Sequence, residues 1–125
     1  MELSLNSAQK RKGVWIEDTL YNFEGTEFGD GKNPWAGIVF DAAGNIYGTT
    51  EFGGTFGGRE YGDGTVFEPV RSGTGSYTEK VLWSFNGTDG LQPQSSLILD
   101  NAGNLYGTTP MGGSSNAGVV FEVTP

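Results

Sequence analysis

Apolar positions along this chain follow a strand rhythm. Val81, Trp83 and Phe85 alternate with Leu82 and Ser84, a period of two that puts successive side chains on opposite faces of a sheet. Leu97-Ile98-Leu99 is a short apolar run ended by Asp100, the pattern of a strand covered on both faces. Between such runs stand turn residues. Asp41 to Asn45 separates two apolar stretches, and Gly44 there can take a positive φ with no Cβ to clash. No window keeps apolar residues at helical spacing for ten residues without Gly or Pro. The expectation is an all-β chain with almost no helix.

These runs recur in order. Asp41-Ala42-Ala43-Gly44-Asn45-Ile46-Tyr47-Gly48-Thr49-Thr50 returns as Asp100-Asn101-Ala102-Gly103-Asn104-Leu105-Tyr106-Gly107-Thr108-Thr109, identical at eight of ten positions. Upstream, Pro34 answers Pro93 and Ile38-Val39-Phe40 answers Leu97-Ile98-Leu99. Downstream, Gly53-Gly54 answers Gly112-Gly113 and Val66-Phe67-Glu68 answers Val120-Phe121-Glu122. Thr19-Leu20-Tyr21-Asn22-Phe23 answers Val81-Leu82-Trp83-Ser84-Phe85. Each unit therefore carries four strands: a after the proline, b at Tyr-Gly-Thr-Thr, c at Val-Phe-Glu, and d at the Leu-aromatic-x-Phe run. Four antiparallel strands in about 40–60 residues make the blade of a β-propeller, and the a–b turns here lie 59 positions apart.

Composition narrows the function. The 125 residues suit one domain with a modest core. Glycine accounts for 22 of them without a Gly-x-y period, which excludes collagen. Net charge is −8, a field that repels phosphate and argues against nucleic acid as a partner. The basic cluster Lys10-Arg11-Lys12 stands in a polar segment that reads as a solvated tail. With no cysteine and no histidine, the chain lacks thiolate chemistry and the commonest general base and transition-metal ligand. No stretch is long and apolar enough to span a bilayer, and Met1 to Asn6 lacks the apolar run of a signal peptide.

The blocks Pro34-Trp35-Ala36-Gly37, Asp41-x-x-Gly44-Asn45-Ile46-Tyr47-Gly48-Thr49-Thr50, Gly64-Thr65-Val66-Phe67 and Val81-Leu82-Trp83-Ser84-Phe85 together resemble the GloVer-type tandem repeat. The resemblance covers nearly everything from Thr19 to Pro125. It implies a bacterial, β-propeller-like repeat protein, extracellular or at the cell surface, often beside surface-anchor domains. Members carry many more copies than two, and this chain departs from the pattern there.

The strand order along the chain is d, a-b-c, d, a-b-c. Residues 1–13 read as a polar tail and 14–23 as a strand completing a neighbouring blade. Residues 24–85 form repeat one, and 86–125 form repeat two without its outer strand. Two blades cannot close a ring, because propellers take about 4–8. The expected partner is the chain itself, as a homo-oligomer through strand exchange, or further repeats of a longer chain.

The two repeats differ in their connections. The d–a segment runs from Phe23 to Pro34 against Phe85 to Pro93, and the b–c segment from Thr50 to Thr65 against Thr109 to Val119. Both enlargements fall on one face, and loops on rigid sheets often carry binding residues; neutral loop growth would give the same lengths. The candidate ligand-binding residues are Trp35, which replaces Gln94, and Glu51, Arg59, Tyr61 and Asp63 of the longer b–c loop. An aromatic such as Trp35 can stack on a sugar ring or pack on a neighbouring blade. Tyr47 and Tyr106 recur in both repeats and read as structural. Asp41-x-x-Gly44-Asn45 lacks the alternating ligands and terminal Glu of a calcium loop and reads as a turn. Glu51, Glu60 and Asp63 are the carboxylates a glycosidase pair would need. Asn86-Gly87-Thr88 fits a glycosylation acceptor but is also a turn former.

The resulting expectation is a non-catalytic module, with no cofactor and no metal, that binds a saccharide or protein. The alternative is a metal-dependent propeller hydrolase of the lactonase or glycosidase kind, whose turns the Asp-x-x-Gly-Asn motif also resembles.

Overall fold

A computed structural model describes residues 10–11, 13–25, 29–55 and 62–125. Eleven strands and no helix occur among them, and no sheet closes into a barrel. The largest sheet has four strands in the order β4-β5-β7-β8: Val39–Phe40, Ile46–Thr50, Thr65–Arg71 and Tyr77–Ser84. All its pairings are antiparallel. They run a-b-c-d, with the d strand at one edge. Repeat two forms a three-stranded antiparallel sheet, β9 (Ile98–Leu99), β10 (Leu105–Thr109) and β11 (Val119–Val123), in which β11 is an edge. Lys10–Arg11 (β1) pairs with Val14–Trp15 (β2), so this basic pair belongs to a small hairpin.

The connections are also paired. Gly31–Lys32 (β3) of the d–a segment bonds with Phe52–Gly53 (β6) of the b–c segment. Repeat two has the same contact as the single bridge Leu91↔Met111. These pairings hold both connections at one end of each sheet.

The core lies between the two sheets. Tyr47, Val66 and Phe85 of repeat one meet Leu97 and Leu105 of repeat two, all buried. The a–b turns are alike. In each, one aspartate oxygen accepts from two backbone amides, at 2.9 Å: Asp41 from Ala43 and Asn45, Asp100 from Ala102 and Asn104. Gly44 and Gly103 close these turns at φ 88° and 87°, where a Cβ would be strained. The Gly of Tyr-Gly-Thr-Thr has a different reason. A Cβ on Gly48 would lie 2.8 Å from the Phe67 ring, and one on Gly107 would lie 2.6 Å from the Phe121 ring. Each strand-c phenylalanine brings the tip of its ring against a bare stretch of strand b.

Candidate functional site

Trp35 and Glu51, 16 residues apart, are brought together. The Trp35 Nε1–H donates to Glu51 Oε2. Gln94 Nε2 donates to the other carboxylate oxygen at 2.8 Å, and the Glu51 backbone amide donates to the Asn33 carbonyl at 2.9 Å. Glu51 is buried and Trp35 is 69% exposed. The indole is thus fixed at its polar edge while most of its surface meets solvent. Gln94 occupies in repeat two the place Trp35 holds in repeat one, so Glu51 ties equivalent positions of both repeats together.

The other candidates divide. Asp63 is only 2% exposed, and its carbonyl accepts from the Gln92 amide at 2.8 Å, which sets it inside the junction of the repeats. Arg59, Tyr61 and Glu60 lie outside the described residues.

The turn aspartates are committed to structure. Asp41 Oδ2 accepts from Asn45 Nδ2 (2.9 Å) and Tyr47 Oη (3.0 Å), and Asp100 Oδ2 from Asn104 Nδ2 (3.0 Å) and Tyr106 Oη (2.8 Å). The Asn104 and Tyr106 bonds pull the Asp100 carboxyl down to about 2. Burial, together with the bond to Asp41, pushes the Tyr47 phenol up to about 12. A cleft of about 510 Å³ between the two turns is lined by Phe40, Asp41, Leu99 and Asp100, but its carboxylates are spent on the turns. Among the described residues no group of three acidic side chains is placed to hold a metal ion.

Sequence reasoning missed a second arrangement. Asp30, 6% exposed, accepts through Oδ2 from the Tyr21 hydroxyl (2.9 Å) and the Glu24 amide (2.6 Å), and through Oδ1 from the Gly31 amide (2.8 Å). Asp89 repeats the corner, accepting from Trp83 Nε1 and the Asn86 amide, both at 2.9 Å. In repeat one Glu79 of β8 also hydrogen-bonds to Asp30. Burial, that bond and the charge on Asp30 raise the Glu79 carboxyl to about 8. Burial works against the Asp30 charge, but the bonds from Glu79, Glu24, Tyr21 and Gly31 outweigh it and hold its carboxyl below the usual range. The signal in the sequence was an Asp a few residues after each Leu-aromatic-x-Phe run.

These features define an all-β tandem-repeat module. Residues 9–125 match the Gloeobacter/Verrucomicrobia repeat, and the chain belongs to that family. No curated protein matches it. No helix among the described residues is long and apolar enough to cross a membrane.

Proposed function

We propose that the chain is a non-catalytic module of β-propeller type that binds a saccharide at the bacterial cell surface. In this reading the β4-β5-β7-β8 sheet is a blade, and the β9-β10-β11 sheet is a blade awaiting its outer strand. The ring is completed by further copies or further repeats. The a-b-c-d strand order and the core between the two sheets support it.

The observation that carries the ligand reading is the exposed Trp35 ring, anchored by Glu51. An aromatic ring fixed at its edge offers a flat apolar surface at little entropic cost, and sugar rings stack on such surfaces. Glu51 holds the platform, and Arg59 and Tyr61 of the same b–c loop are the further ligand contacts read from the sequence; Asp63, buried at the junction of the repeats, supports the loop rather than meeting a ligand. A protein ligand is the other outcome of the same test. On a glycan array the chain shows specific hits, and Trp35→Ala weakens them by roughly tenfold, the size of a lost stacking contact. Binding unchanged by Trp35→Ala, or no glycan bound at all, overturns the saccharide reading.

A further inference from the structure

Two unpaired edges of this molecule match each other. The first is the run from Thr19 to Glu24. Phe23 packs edge-on to Phe67 with ring centroids 5.0 Å apart, as Phe85 packs on Phe121, also at 5.0 Å. Tyr21 donates to Asp30 as Trp83 donates to Asp89. The Glu24 amide caps Asp30 as the Asn86 amide caps Asp89. This run therefore sits against the four-stranded sheet as the end of β8 sits against the three-stranded one. The end of β8 is bonded to β7 on its other side; among the described residues no strand pairs with 16–25.

The second edge is β11. Its counterpart β7 pairs with β8, whereas among the described residues β11 has a strand partner on one side alone. A groove of about 400 Å³ opens beside it, lined by Leu82, Trp83, Phe85, Phe121 and Val123. Val120 is 79% exposed at this edge. An open strand edge with apolar flanks is a template for another strand.

From this we infer that β11 is the docking edge for residues 17–23 of a second copy of this chain, paired antiparallel in the register of β7 with β8. That register sets Val66 opposite Trp83, Phe67 opposite Val81, Glu68 opposite Lys80 and Pro69 opposite Glu79. Carried over, it sets Val120 opposite Tyr21, Phe121 opposite Thr19, Glu122 opposite Asp18 and Val123 opposite Glu17. The faces agree. Tyr21 points to its own four-stranded sheet, so Val120 is covered by the same sheet of the second copy. Glu17 comes to the Trp83–Asp89 corner as Glu79 comes to Tyr21–Asp30. One contact differs in sign. Lys80 and Glu68 stand 3.9 Å apart as an ion pair, whereas Asp18 and Glu122 are both acidic, and like charges directly opposite weaken a strand pair. The contact is heterologous, each copy giving one edge and receiving the other.

The inference rests on the blade reading, and the test separates the two. Light scattering on the full chain gives a mass that rises with concentration above 13.3 kDa. Asp18→Lys restores the opposite-charge pair and moves association to a concentration roughly five- to tenfold lower. Asp18→Cys with Glu122→Cys, in a chain that has no cysteine of its own, gives disulfide-linked multimers on mild oxidation. A mass of 13.3 kDa at every concentration for both the natural chain and Asp18→Lys overturns the inference. So does cross-linking of Glu122→Cys alone as efficient as that of the pair, since it means that β11 pairs with β11. Hydrogen exchange then decides the blade reading: protected β5, β7 and β10 amides in a monomer leave it standing, and exchange throughout removes it.

Discussion

The two aspartate corners make the same hydrogen bonds in different surroundings. At Asp89 the partners are Trp83 and the Asn86 amide, at a partly open position. At Asp30 the same two bonds come from Tyr21 and the Glu24 amide, and a third group, Glu79 of the outer strand, closes over them. In repeat one β8 pairs with β7, and among the described residues no strand pairs with β11 in the same way. The outer strand thus does more than extend the sheet. It places a half-buried carboxyl group against the buried aspartate and turns an open corner into a partly covered acidic pair.

The largest expected effect tests whether the paired phenylalanines are equivalent in energy as well as geometry. Phe85 is 1% exposed and stands in the core. Phe23 makes the same ring contact from a half-buried position. Phe85→Ala should cost about 3–5 kcal/mol of folding stability in urea denaturation, the range for a buried phenylalanine, and Phe23→Ala about half that. Equal losses would mean that the Thr19–Phe23 run is as much a part of the fold as β8.

Much of this was legible in the sequence. The turn motif, the four-strand unit and the edge position of the d strand all follow from matched blocks and a period of two. The links between blocks did not. Asp30 and Asp89 follow Phe23 and Phe85 at different distances because repeat one carries a longer connection, so the blocks in register around them hide the match. Glu51 meets Trp35 and Gln94 across 16 and 43 residues, a pairing that only the folded connections create. Glu79 lies in an alternating strand where nothing marks it apart from Lys80. Gly48 and Gly107 read as features of a motif, and only the rings of Phe67 and Phe121 explain them.

An intermediate effect tests where the repeats should not differ. A Cβ at Gly44 or at Gly103 would meet nothing within 4 Å, so substitution there costs only the backbone strain of a positive φ. Gly44→Val and Gly103→Val should each lower stability by about 1–3 kcal/mol, and by the same amount in both repeats. A cost confined to one repeat would show that the turns, alike in geometry, are unequally coupled to the core.

The effect expected to be smallest, because solvent reaches the half-buried Glu79 and screens it, concerns the corner where burial and the neighbouring Asp30 favour a protonated carboxyl. Glu79 faces Asp30, with Tyr21 and Glu24 of the N-terminal run nearby and the Gly31 amide beside it. Its carboxyl titrates near 4.5 when unconstrained and at about 8 in the fold. Between those values the folded chain holds a proton that the unfolded chain releases, so stability is highest at the acid end of the window and falls as pH rises through it. Asp30 behaves oppositely. Its carboxyl lies below 3.8 in the fold, so its contribution is present above that value and is lost as pH falls further. The two together predict a maximum near pH 4–5 and a melting temperature that declines from there to about pH 8. Glu79→Gln keeps a hydrogen-bond donor toward Asp30 but has no proton to lose, and should flatten the decline without moving the acid limb. General repulsion in a chain of net charge −8 also favours acid conditions, but Glu79→Gln leaves most of that charge in place. A decline that survives the substitution undiminished therefore places the proton elsewhere, and the closed corner of repeat one would then differ from the open corner of repeat two in packing alone.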